Sequence, residues 1–71
     1  MEKALSTEFG TNVSRIRKDC GFTQQKLAEK ANIDRSYLLK IEIGEANPSL
    51  SVILRLADSL KTTPYKLLET D

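Results

Sequence analysis

The sequence predicts an all-α fold, a compact five-helix bundle. Two observations carry this. Apolar residues recur three and four apart along the chain, the period of a stripe on a helix face. The stretches so patterned are punctuated by residues that start or stop helices, namely Gly21, Thr23, Asn32, Asp34, Ser49 and the pair Thr63-Pro64. No repeat, low-complexity segment or internal linker interrupts the 71 residues. The chain 1–71 therefore reads as one domain, near the lower size at which a single core suffices without staples.

Residues 1–6 are expected to form a flexible N-terminal tail. A first helix follows from about Thr7 to Cys20, with Phe9, Val13 and Ile16 on one face and Gly21 suited to the C-terminal stop. Thr23 can cap a second helix whose apolar residues fall at Leu27, Ala28 and Ala31. Asn32 sits where a left-handed residue would stop it, and Asp34 can cap a third helix from Arg35 to about Ile43. The break between the two lasts about three residues, the spacing of a helix-turn-helix, here over about residues 23–43. Ser49 can cap a fourth helix. Its apolar positions Ile53, Leu54, Leu56, Ala57 and Leu60 cover a wide face, as expected of a central helix. Thr63-Pro64 opens a fifth, with proline where its missing donor costs nothing, ending near Leu67 and Leu68.

The third helix divides into two faces at 3.6 residues per turn. Leu38 and Ile41, flanked by Tyr37, point one way and are core; Arg35, Ser36, Leu39, Lys40 and Ile43 point the other. That outward set suits the edge of a base pair. Arg can chelate O6 and N7 of guanine, Lys can donate to the same edge, Ser can donate or accept, and an aliphatic group can touch a thymine methyl.

Thr23-Gln24 with Leu27-Ala28, Ser36-Tyr37-Leu38 running through to Ile41-Glu42, then Gly44 and Asn47-Pro48-Ser49-Leu50, together and in register, resemble the helix-turn-helix domain of phage lambda-type repressors and Cro, the XRE family. The resemblance covers about residues 9–68. It implies a lambda repressor-like fold and a sequence-specific transcriptional regulator that binds a palindromic or near-palindromic operator as a homodimer, each recognition helix in a major groove one helical turn from its twin. Chains that open the recognition helix as Arg35-Ser36-Tyr37 does also resemble the controller proteins of restriction-modification systems, and compact phage and plasmid repressors look similar.

The resemblance assigns roles residue by residue. It implies that the amide of Gln24 bonds a DNA phosphate at the start of the second helix, where the helix dipole also favours an anion. Arg35, Ser36, Leu39 and Lys40 are the candidate base contacts, Lys40 equally suited to phosphate. Tyr37 can pack its ring at the rim of the core while its hydroxyl reaches a phosphate. Asn47, with the backbone of residues 44–46, resembles an exit loop that touches phosphate. Arg17 and Glu42 match positions that form a largely buried ion pair between the first and third helices. Leu39 and Ile43 depart from the polar residues usual there, and Asn32 stands where Gly is usual, a change that Asn tolerates. The dimer surface is expected near the C-terminal end, at Thr62, Thr63, Tyr65 and Leu68, with Leu67 or Leu68 closing the core.

Composition narrows the classes. The 11 basic and 10 acidic residues leave a net charge of +1, small for a nucleic-acid binder. Segregation can compensate, because phosphate contacts depend on local charge. Arg15, Arg17, Lys18, Arg35 and Lys40 lie on the first and third helices, while Glu2, Glu8, Glu69 and Asp71 lie at the ends. The modest total predicts weak nonspecific affinity and a shallow dependence on salt. The lone Cys20, expected to be partly buried and inert, permits no internal disulfide and argues for a reducing, cytoplasmic compartment. No apolar run approaches the roughly 18 residues of a membrane span, and the start MEKALSTE lacks the pattern of a signal peptide.

Catalysis fares badly on inventory. There is no His, the lone Cys has no histidine partner, and no glycine-rich phosphate loop or zinc-ligand cluster exists. No cofactor, metal or small-molecule ligand is expected. Contact with RNA polymerase would need a further surface, for which the acidic residues Glu42 and Glu45 are candidates. The competing reading is a protein-interaction module, an antitoxin or an adaptor of the same fold, which the near-neutral charge and the aliphatic Leu39 and Ile43 favour.

Overall fold

The computed structural model describes residues 2–70 and contains, among them, five helices: α1 Lys3–Asp19, α2 Gln24–Ala31, α3 Arg35–Glu42, α4 Leu50–Ser59 and α5 Pro64–Leu68. Met1 of the expected tail and Asp71 of the expected acidic cluster lie outside the described residues.

The helix starts follow the capping residues closely. The side chains of Thr23, Ser49 and Thr63 accept from the backbone N–H groups of Lys26, Val52 and Lys66, and Pro64 opens α5. Two starts differ from expectation. Asp34 has the extended backbone of an N-cap but makes no side-chain cap bond. The beginning of α1 lies at Lys3, so residues 3–6 are helix and not tail. The carboxylate of Glu2 caps the Leu5 N–H, an unusual cap that hides the start from a search for Ser, Thr, Asp or Asn. Tertiary packing also holds this turn, for Ser6 is buried.

Four helix ends share one device. After α1, Gly21 at φ 77° donates to Lys18 and Phe22 donates to Arg17; after α2, Asn32 at φ 56° and Ile33 donate to Glu29 and Ala28. Gly44 and Glu45 repeat it after α3, as do Lys61 and Thr62 after α4. This paired bonding, six-to-one and five-to-two, satisfies carbonyls that a helix end leaves open and turns the chain sharply.

The core gathers Phe9 and Val13 of α1, Leu27, Ala28 and Ala31 of α2, Leu38 and Ile41 of α3, Val52, Ile53, Leu56, Ala57 and Leu60 at α4, and Leu67 of α5. Ile16, Phe22, Ile33, Tyr37, Ala46 and Leu68 pack at its edge. On α4 the buried stripe holds the expected Ile53, Leu56, Ala57 and Leu60 and differs at one edge: Val52 is buried, whereas Leu54 is 48% exposed and joins Leu50 one turn earlier on the flank away from the core. Cys20 is exposed and not partly buried, because it sits at the cap where the chain turns away at Gly21; its Sγ lies 3.8 Å from the Leu60 carbonyl. No helix among the described residues is long and apolar enough to cross a membrane.

Candidate nucleic-acid interface

The outward face of α3 is built by subtraction. Leu38 and Ile41 are essentially inaccessible and Tyr37 is half-buried, which leaves Arg35, Ser36, Leu39, Lys40 and Ile43 on the exposed side. Two cations, one hydroxyl and two aliphatic groups thus share a ridge two turns long. Asn32 precedes it in the left-handed conformation, so α2 stops and the chain re-enters helix three residues later at Arg35. The guanidinium of Arg55 on α4 donates to the Asn32 carbonyl at 3.2 Å and ties that turn to the bundle.

The far end of α3 is anchored from α1. Nε of Arg17 donates to Oε2 of Glu42 at 2.8 Å, and a second guanidinium nitrogen donates to Oε1 at 3.2 Å, a bidentate pair whose side chains are 10% and 5% exposed. The third nitrogen donates to the carbonyl of Phe22 at 2.8 Å, just ahead of α2. Gln24, the first residue of α2, is half-buried, and its Nε2 donates to Oε1 of the same Glu42 at 3.1 Å. One carboxylate therefore joins α1, the start of α2 and the last turn of α3. The ion pair also corrects two expectations. Arg17 is spent internally and adds nothing to an outer basic face, and Glu42 is not available as an acidic contact for RNA polymerase; of the two acids considered, Glu45 alone is exposed.

Beyond α3, Gly44 at φ 81° turns the chain into residues 45–49. A β-carbon there would lie 2.9 Å from Thr7, so the glycine serves both the left-handed backbone and the contact with α1. Asn47 is exposed in this loop and Pro48 beside it is buried. Lys40 lies at the last turn of α3, while Arg15 on α1 is engaged with Asn12, whose Oδ1 accepts from it at 3.3 Å.

At the opposite end, Leu67 closes the core, Leu68 and Thr62 are half-buried, and Thr63 and Tyr65 are exposed. The hydroxyl of Thr63 is occupied in capping α5. Sequence reading missed what holds α5 in place: the carboxamide nitrogen of Asn12 donates to the carbonyls of Leu67 and Glu69, each at 2.9 Å. It also missed Gly10, a glycine in mid-helix, which was a legible signal because glycine is unfavourable there without a packing reason.

Comparison with known proteins gives a consistent set. The profile of a helix-turn-helix family matches residues 13–67. The immunity repressor protein of Bacillus phage phi105 is 49% identical over 51 residues, which cover 72% of this chain and 35% of the repressor. The chain thus spans about a third of the length of that relative. Among solved structures, the restriction-modification controller protein C.AhdI from Aeromonas hydrophila superposes with a TM-score of 0.87 and 38% identity, over 90% of this chain and 97% of that one. The biofilm regulator SinR, solved in complex with DNA, superposes with a TM-score of 0.82 and 32% identity, over 86% and 98% of the respective chains.

Proposed function

The chain belongs to the helix-turn-helix family, and from that premise we propose that it is a sequence-specific DNA-binding transcriptional regulator, not an enzyme. It acts in the cytoplasm as a homodimer on a palindromic or near-palindromic operator, the whole chain serving as one DNA-binding domain. The observation that carries this is the ridge of Arg35, Ser36, Leu39, Lys40 and Ile43, exposed while every other side of α3 is packed. In this reading Arg35, Ser36, Leu39 and Lys40 meet base edges in the major groove. Gln24, Tyr37 and Asn47 hold phosphates on either side and fix the register.

SinR, a similar domain solved on DNA, supports the partner; the phage immunity repressor supports the regulatory role. Control of a restriction-modification operon is the narrower assignment we favour. Support for it comes from the likeness to C.AhdI and from the Arg35-Ser36-Tyr37 opening of α3. Two copies meeting through Thr62, Thr63, Tyr65 and Leu68 would double the contacts of a small domain, the simplest route to usable affinity.

A second reading is favoured by one observation. Leu39 is 46% and Ile43 55% exposed on the same ridge, a surface that a protein partner could also cover. The two readings separate on salt. Retention of duplex DNA that weakens with rising salt, and is lost in Arg35→Ala with Lys40→Ala while circular dichroism and sedimentation are unchanged, supports the regulator. Retention untouched by both substitutions overturns it.

A further inference from the structure

We propose that Glu42 is a positioning residue for DNA binding. Its carboxylate fixes the carboxamide of Gln24 so that the second N–H of the amide is held for a DNA phosphate. This inference rests on the DNA-binding reading and deepens it.

The argument begins with hydrogen-bond inventory. An ionised carboxylate only accepts, so a carboxamide can face it only through nitrogen. Gln24 does so, with Nε2 at 3.1 Å from Oε1 of Glu42. The amide nitrogen carries two hydrogens, and one is thereby assigned to the interior. The other remains at the first residue of α2, among the unpaired N–H groups and the positive end of the helix dipole, where an anion is favoured. Without the carboxylate, the amide is free to present oxygen in place of nitrogen, and an oxygen repels phosphate.

Three features make Glu42 fit for this task. Its side chain is 5% exposed, so water does not compete for the bond. Arg17 neutralises it through two bonds, so the carboxylate does not itself repel a phosphate nearby. The same guanidinium holds the Phe22 carbonyl two residues before Gln24, so the approach to α2 and the amide share one anchor. Glu42 touches no DNA in this account; it acts through Gln24.

The experiment is a double-mutant cycle on binding to a duplex recovered by selection from a random library. Glu42→Gln preserves volume and offers Arg17 a carbonyl acceptor. It is expected to weaken binding about three- to tenfold when residue 24 is Gln, the equivalent of one net hydrogen bond, and less than twofold in Gln24→Ala. Gln24→Ala is expected to weaken binding by a similar factor while leaving the slope of log affinity against log salt nearly unchanged, because a neutral carboxamide neutralises no phosphate charge. An equal loss from Glu42→Gln in both backgrounds overturns the proposal, since Glu42 would then act through the architecture alone. Proton–nitrogen correlation spectra of the free, unmutated protein test the anchor without DNA and without a variant that must fold. One side-chain amide proton of Gln24 should lie downfield of its position in the urea-unfolded chain; an unshifted Gln24 pair overturns the proposal. Loss of binding in Arg35→Ala with no effect of Gln24→Ala sinks the positioning role alone. Absence of any duplex retention by the parent protein sinks the DNA-binding reading with it.

Discussion

Gly10 of α1 lies against the Ile41 carbonyl of α3 so closely that a β-carbon on Gly10 would stand 2.1 Å from that oxygen and 2.9 Å from the Glu42 carbonyl oxygen. Both obstacles are backbone, which cannot rotate aside. The glycine therefore sets how near α1 approaches the last turn of α3, the helix that carries the exposed ridge. Gly10→Ala is expected to destabilise the protein by about 1–3 kcal/mol or more through overpacking, despite the better helix propensity of Ala. Thermal unfolding checks this; an unchanged or raised midpoint would mean that the contact has no bearing on stability.

The Arg17–Glu42 pair should matter far more than an exposed ion pair. Glu42→Ala leaves a buried guanidinium without its counter-charge and is expected to cost about 3–5 kcal/mol. Replacing both partners, Arg17→Met with Glu42→Leu, should recover part of that loss, because neither charge is then stranded. Urea midpoints of the three variants decide it, and a double variant as unstable as Glu42→Ala would show that packing and not charge dominates.

Lys61 holds a left-handed backbone at φ 55° at the end of α4, where a side chain is strained. Lys61→Gly is expected to stabilise by about 1 kcal/mol, or roughly 4–8 °C in Tm for a domain of this size. A fall in Tm would place the balance with the added freedom of the unfolded chain.

On the recognition ridge, Arg35→Ala should weaken operator binding by about 1–3 kcal/mol and relax preference at one base pair. A loss equal across all sequences, with a salt slope lower by about one, would move Arg35 from base to phosphate. Fluorescence anisotropy with matched and mismatched duplexes separates these outcomes.

Tyr65 is 69% exposed on α5, held there by the clamp of Asn12 on the Leu67 and Glu69 carbonyls. Tyr65→Asp should weaken dimerisation and leave the helical content intact. Sedimentation velocity reads it, and an unchanged dimer would place the self-association surface elsewhere.

The helices were legible because their boundaries use strong local chemistry. Thr23, Ser49 and Thr63 cap, Gly21, Asn32 and Gly44 turn, and the two faces of α3 follow from spacing alone. The start of α1 was not legible, since Glu is an unusual cap residue and the burial of Ser6 depends on tertiary contact. Nor was the face of Leu54, because a wide apolar stripe on α4 does not reveal which flank is left uncovered. At the interface, residue types announced the ridge but not the wiring behind it. The bond from Gln24 to Glu42 and the brace from Arg55 to Asn32 join residues 18 and 23 positions apart, beyond any local pattern.

The central claim, that the exposed ridge of α3 reads DNA in a two-fold-symmetric assembly, is tested most directly by selecting binding sites from a random duplex library at near-physiological salt. The account predicts enrichment of a motif whose half-sites are related by two-fold symmetry and centred about one helical turn apart, roughly 10–10.5 base pairs. Folded protein that enriches no motif would contradict it and leave the ridge as a surface for a protein partner.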